Sequence, residues 1–285
     1  MLKIEHTYVK FSEVTLHIAF TGPDNGQLMI FLHGFPENWL AWKKQLLYFG
    51  SKGFKAVALD QRGYNLSSKP KNIHDYRIDL LALDVIKVMR YFKRKQLILV
   101  GHDWGANVAW WTALRFPEVI QKLVIINVPH PAVMKRSVKI NIRQKFNSWY
   151  MYFFQIPIIP ELVMSFHKSL LLSTMVTSSA NKHAFSNTII SYYRTSWTRT
   201  TVHHMIDWYR GMKFSSGKKL SSIKVKPEVL LIWGLQDKFI RKENIIPSLK
   251  LCNNSSNIVY PHNTHWIIHE IPNKVNNRIL TFIHK

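Results

Sequence analysis

The stretch Val100-Gly101-His102-Asp103-Trp104-Gly105-Ala106 limits what this chain can fold into more than any other. Before it runs Gln96-Leu97-Ile98-Leu99-Val100, apolar and short enough for a buried strand. After it, Ala109, Ala113 and Leu114 recur at helical spacing between residues 106 and 116. A strand that turns straight into a helix around Gly-x-Asp-x-Gly exposes its central side chain on a sharp, strained corner suited to a nucleophile. The residues two before and two after that corner must be small, and Gly101 and Gly105 meet the demand. The motif alone is weak evidence, and its neighbours decide its meaning.

Residues 6–11 and 15–20 alternate as two antiparallel strands, followed by the turn cluster Gly22-Pro23-Asp24-Asn25-Gly26. Leu28-Met29-Ile30-Phe31-Leu32 reads as a fully apolar strand ending at His33-Gly34-Phe35-Pro36-Glu37. A helix is expected over 42–51, a strand over 54–59 and a helix over 75–92. The next strand is Leu123-Val124-Ile125-Ile126-Asn127. From 133 to 220 the chain is aromatic, basic and helix-like, and strands resume at 229–234 and 257–260. Continuous apolar strands alternating with helices indicate a parallel sheet covered on both faces. The expected fold class is α/β, a mostly parallel central sheet flanked by helices. The core comprises 1–132 and 221–285, with a helical cap, 133–220, inserted between them.

At 285 residues, 47% of them hydrophobic, the chain can bury a large core. Its single cysteine, Cys252, excludes an intramolecular disulfide and suits a reducing compartment. Met1-Leu2-Lys3-Ile4-Glu5-His6 carries no signal-peptide apolar region. The most apolar stretch, 149–164, is broken by Pro157, Pro160 and Glu161. These features lead to the expectation of a soluble, cytoplasmic protein. The formal charge is +23, and residues 133–220 hold thirteen Lys/Arg against Glu161 and Asp207. No nucleic-acid motif accompanies that charge, so it reads as compositional background with, at most, weak association with anionic surfaces. No nucleic-acid partner, metal or cofactor is expected.

Three strand ends converge on one site, because ligands of parallel sheets bind outside the carboxyl ends of the strands. Asp103 lies on the corner, Asp237 follows the strand 229–234, and His265 follows the last strand. Taken singly, Asp237 could cap a helix, and His265 is one of fourteen histidines. Their chain order, nucleophile then acid then histidine, turns the conjunction into a candidate catalytic triad.

With His33-Gly34-Phe35-Pro36, Asp60-Gln61-Arg62-Gly63-Tyr64, Gly101-His102-Asp103-Trp104-Gly105 and His265-Trp266 in hand, the chain resembles an epoxide hydrolase of the α/β-hydrolase superfamily over essentially its whole length. In the cap, Trp149-Tyr150 and Asp207-Trp208-Tyr209-Arg210 are similar to the segments that carry the family's paired tyrosines. The resemblance implies that Asp103 attacks an epoxide carbon while Tyr150 and Tyr209 donate to the ring oxygen. It further implies that His265, oriented by Asp237, activates water, and that the backbone N–H groups of Phe35 and Trp104 form the oxyanion hole. The implied partners are a small apolar epoxide and water. Tyr152, Tyr192 and Tyr193 remain competitors for the tyrosine roles.

Two departures from the family pattern bear on site shape, Asn65 where Gly is frequent and Thr264 where a smaller residue is common. His33, His102, His203 and His204 read as structural, on the expectation that no carboxylate or histidine stands at ligand spacing on a helix. The nearest rival is a dehalogenase with the same Asp nucleophile, although Phe35 stands where haloalkane dehalogenases carry a halide-binding Asn. A small-molecule receptor on the same scaffold is a rival of another class.

Overall fold

The computed structural model describes residues 2–166, 168–181, 183–214 and 220–285. Its centre is an eight-stranded sheet in the order β1-β2-β4-β3-β5-β6-β7-β8. The strands are β1 (Glu5–Lys10), β2 (Thr15–Thr21), β3 (Leu28–Leu32), β4 (Lys55–Leu59), β5 (Leu97–His102), β6 (Ile120–Ile126), β7 (Glu228–Gly234) and β8 (Ser255–Tyr260). β2 runs antiparallel to β1 and β4, and every other pairing is parallel.

Burial explains the strand sequences. β3, β4 and β5 are buried at every position and consist almost wholly of aliphatic residues, because helices cover both faces there. The edge strands β1 and β8 are mostly exposed and carry His, Lys, Ser and Asn. Helices α1 (Lys43–Ser51), α2 (Ile78–Tyr91) and α3 (Trp104–Arg115) provide the first crossovers.

Between β6 and β7 the chain leaves the sheet, and the described residues there form seven α-helices. They are α4 (Pro131–Ile140), α5 (Ile142–Asn147), α6 (Trp149–Phe153), α7 (Ile159–Phe166), α8 (Lys168–Ser178), α9 (Asn187–Ser196) and α10 (Arg199–Gly211). The helical insertion expected from the loss of strand periodicity is therefore present, although the expected boundary at 220 adjoins residues 215–219, which lie outside the described residues. Helices α11 (Ile245–Leu249), α12 (Ile267–Glu270) and α13 (Pro272–Ile283) complete the chain. Among the described residues no helix is long and apolar enough to cross a membrane.

Candidate active site

Asp103 stands between β5 and α3 with φ 49° and ψ −123°, a conformation that L side chains rarely adopt. The corner is so tight that a Cβ on Gly101 would come within 2.5 Å of the Gly105 carbonyl oxygen. A Cβ on Gly105 would collide with the Leu32 carbonyl. Small residues are required at both places, as the spacing predicts. The strain presents Asp103 above the carboxyl ends of β3 and β5. There the Phe35 N–H donates to Asp103 Oδ1 at 2.8 Å. Trp104 opens α3, so its N–H belongs to the helix's first turn, whose donors lack intrahelical acceptors.

Chain topology brings the other two members to the same place. His265 Nδ1 lies 2.8 Å from Asp237 Oδ2, and its Nε2 lies 3.4 Å from Asp103 Oδ2. Asp237 is held from several sides. Its Oδ1 accepts from the N–H groups of Phe239 and Ile240 at 2.7 and 2.9 Å, and Oδ2 also accepts from Asn127 Nδ2 at 2.7 Å. Burial opposes charge on His265, but the Asp237 and Asp103 carboxylates outweigh it and raise its pKa to about 10. Burial likewise opposes charge on Asp103. The hydrogen bond and charge of His265, with the Phe35 N–H, still hold it below the ordinary carboxylate range.

A cavity of about 200 Å³ opens over this group. Its walls are mostly apolar, from Phe35, Pro36, Trp149, Phe153, Phe154, Met164, Leu171, Met175, Phe239 and Trp266. Asp103, His265, Tyr150 and Tyr209 bring polar atoms to it. The two tyrosine rings meet edge to face at 5.9 Å. Burial, reinforced by the charge of Asp103, raises both phenol pKa values, so at neutral pH both are O–H donors. The competing tyrosines lie elsewhere. The Tyr193 hydroxyl donates to Glu37 Oε1 at 2.9 Å, Tyr192 Oη is 3.2 Å from Asn65 Nδ2, and Tyr152 is exposed.

Two expectations need correction. Asn65 and Thr264 are absent from the cavity wall, so neither departure shapes it directly. Asn65 has φ 41°, which explains the preference for Gly there, and its amide bonds Asp60. Thr264 Oγ1 donates to Glu270 at 2.6 Å. The second correction concerns the histidines. On α10, Asp207 follows His203 by four residues, and ligand-type atoms of His203, His204 and Asp207 lie within 4.8 Å of one another. A carboxylate does stand at ligand spacing. Its neighbours there include Glu161, 3.0 Å from His203, and Arg210, 3.6 Å from Asp207.

Residues that sequence reasoning passed over complete the surroundings. Glu37, fully buried, lies 2.6 Å from His269 Nε2 and 3.7 Å from His102 Nδ1. His102 Nε2 in turn lies 2.8 Å from the His265 carbonyl oxygen. Glu37 directly follows the His33-Gly34-Phe35-Pro36 motif, whereas Asn127 closes a strand and carries no signal beyond its position.

The comparisons with known proteins agree with this fold. A family model described as alpha/beta hydrolase fold matches residues 27–272. The chain is 36% identical to AB hydrolase superfamily protein YfhM of Bacillus subtilis, over 97% of this chain and 96% of that one. It is 33% identical to Epoxide hydrolase 1 of Caenorhabditis elegans, over 98% and 70%. Among solved structures, Bacillus megaterium epoxide hydrolase in complex with an inhibitor superposes with a TM-score of 0.89 at 33% identity, covering 98% of this chain and 100% of that one. A variant of that enzyme, at 32% identity and TM-score 0.89 with the same coverage, was solved with its naphthyloxy-propanediol product. The chain belongs to the α/β-hydrolase fold family, and the relatives that match nearly all of it include proteins named epoxide hydrolases.

Proposed function

We propose that the protein hydrolyses an apolar epoxide to a vicinal diol through a covalent ester on Asp103. An epoxide offers an sp³ carbon, so attack by a serine would leave an ether, whereas attack by a carboxylate leaves an ester that water can open. In the first step Asp103 Oδ forms the new C–O bond and the ring C–O bond breaks. The departing oxygen takes a proton from the paired hydroxyls of Tyr150 and Tyr209. In the second step His265 removes a proton from water, and the water oxygen attacks the ester carbonyl carbon of Asp103. The Phe35 and Trp104 N–H groups stabilise the tetrahedral oxyanion, a contribution of roughly 3 kcal/mol per donor in comparable sites. On collapse the ester C–O bond breaks, the departing oxygen takes the hydroxyl proton of the tetrahedral intermediate, and the diol leaves with the Asp103 carboxylate restored.

The charge balance orders the two steps. His265 holds a proton firmly while both carboxylates are ionised. Alkylation removes the negative charge of Asp103 and weakens that hold, so His265 gives up its proton, which restores the phenol that ring opening deprotonated, and a neutral base is available when water must be activated. Residues 133–220 serve as the cap that carries the tyrosines over the two core segments, 1–132 and 221–285.

The observation that carries the reading is the presence of two protonated tyrosines in the same small cavity as a carboxylate at the elbow. A departing alkoxide needs a proton, which phenols supply. The diol bound to the B. megaterium variant supports an apolar epoxide with an aryl arm as a substrate.

The test uses styrene oxide with the purified protein and its His265→Gln variant. Wild type should turn over. The variant should stop at a stable adduct on Asp103, with a mass equal to protein plus substrate. A single wild-type turnover in heavy-oxygen water should label the Asp103 carboxylate. Label confined to the diol after that turnover would sink the ester mechanism, and turnover of haloalkanes in place of epoxides would move the function to dehalogenation.

A further inference from the structure

Helix α5 and the start of α6 are built inside out. The polar residues Gln144 and Ser148 are fully buried. Gln144 Nε2 donates to Ser148 Oγ at 3.0 Å and to the Phe239 carbonyl at 2.9 Å, and its Oε1 accepts from the Arg241 N–H at 3.0 Å. The apolar residues Ile142, Phe146 and Trp149 are instead 68%, 71% and 61% exposed. Their spacing of four and then three residues aligns them in one stripe along the helical path. Ile140 and Tyr152 are exposed at the two ends of the stretch.

Charge accompanies this stripe. Lys135, Arg136 and Lys139 on α4, and Arg143 and Lys145 on α5, are all exposed, and residues 131–160 contain no Asp or Glu. Among the described residues, ten of the eighteen exposed large hydrophobics fall between Ile140 and Leu170. The apolar exposure is therefore local, unlike the overall charge, and such a patch marks an interaction surface.

We infer that this face docks on the surface of an anionic lipid bilayer. Aromatic and aliphatic side chains on one stripe, flanked by cations, suit the boundary between headgroups and acyl chains. The cations meet lipid phosphates and carboxylates while Ile142, Phe146 and Trp149 enter the apolar layer. A second copy of the chain fits poorly, because the face would bring its five cations against five more with no carboxylate between them. A nucleic acid would use the cations but leave Ile140 and Ile142 in water. Trp149 belongs both to the stripe and to the wall of the catalytic cavity. A docked molecule thus sets that wall against the layer in which apolar substrates dissolve. This consequence rests on the epoxide-hydrolase reading, whereas docking itself does not.

The test is flotation of the full chain with vesicles of phosphatidylcholine containing about a third phosphatidylserine, at about 0.1 M salt. Three double variants are compared: Ile142→Ser with Phe146→Ser, Arg143→Gln with Lys145→Gln, and Lys274→Gln with Arg278→Gln on the exposed side of α13. Each cation at the lipid surface is worth roughly fivefold in partitioning, so the Arg143/Lys145 pair should lose about 30-fold. The Ile142/Phe146 pair should lose binding comparably. The α13 pair, with the same charge removed, should change it less than about twofold. Circular dichroism and turnover of dissolved styrene oxide report that the variants remain folded. No binding of wild type to the anionic vesicles overturns the inference. Equal loss in both charge variants with none in Ile142/Phe146 assigns any binding to diffuse charge and also overturns it. A wild-type dimer in ultracentrifugation that the Ile142/Phe146 variant splits gives the face to a second copy instead.

Discussion

Asn127 shows how much a single side chain can arrange. With φ 58° it occupies the left-handed region, which Asn tolerates better than most residues. Its Oδ1 accepts from the Gly234 N–H at 3.1 Å while its Nδ2 donates to Asp237 Oδ2 at 2.7 Å. One amide thus ties the end of β6 to the end of β7 and holds the carboxylate that faces His265. Asn127→Gly keeps the backbone conformation available and deletes only the amide. Its kcat for styrene oxide should fall on the order of 10- to 100-fold with KM little changed, because misplaced catalytic groups act on the chemical step. An unchanged kcat in the folded variant would remove Asn127 from the positioning of Asp237.

At the scale of elements, Arg62 and Asp84 join the loop after β4 to α2. Both are buried, and Arg62 Nε and Nη2 each donate to the Asp84 carboxylate at 2.6 Å. The same residue reaches the insertion, since the Arg62 carbonyl accepts from Trp208 Nε1 at 2.9 Å, next to Tyr209 on α10. Tyr64 packs against Trp208 from the same loop, with ring centroids 5.3 Å apart. The Asp60-Gln61-Arg62-Gly63-Tyr64 motif therefore seats the helix that carries one of the cavity's tyrosines. Asp84→Ala would leave the guanidinium buried without its counter-ion, at a cost of about 3–5 kcal/mol. Urea denaturation measures this, and a loss below about 1 kcal/mol would show that water reaches and solvates Arg62.

For the whole molecule, stability should carry the signature of the His265 cluster. The folded value near 10 lies above the ordinary 6.5, so folding favours the protonated ring. Its contribution is complete below about pH 6.5 and is lost progressively as pH rises through about 10. The thermal midpoint of wild type should therefore fall across that window more steeply than that of His265→Gln, which cannot titrate there. Parallel curves would mean that His265 has the same proton affinity folded and unfolded.

Much of the architecture was legible in the residue order because its determinants are local. Leu28-Met29-Ile30-Phe31-Leu32 and Leu97-Ile98-Leu99-Val100 can be buried strands whatever surrounds them, and Gly101 and Gly105 announce the corner at Asp103. The convergence of Asp103, Asp237 and His265 followed from one topological rule about strand ends. The C-terminal helix α13 went unread, although Pro272 opens it and Val275, Ile279 and Phe282 bury one face at helical spacing. The fate of the tyrosines belonged to tertiary structure. Tyr150, Tyr192, Tyr193 and Tyr209 are chemically alike, and only the packing of α6, α9 and α10 directs two to the cavity and Tyr193 to Glu37. Asn127 reaches Asp237 across 110 residues of chain, a distance no local pattern spans. The inverted face of α5 arises the same way: Gln144 is buried because the Phe239 carbonyl and Arg241 N–H supply partners that sequence spacing cannot foretell.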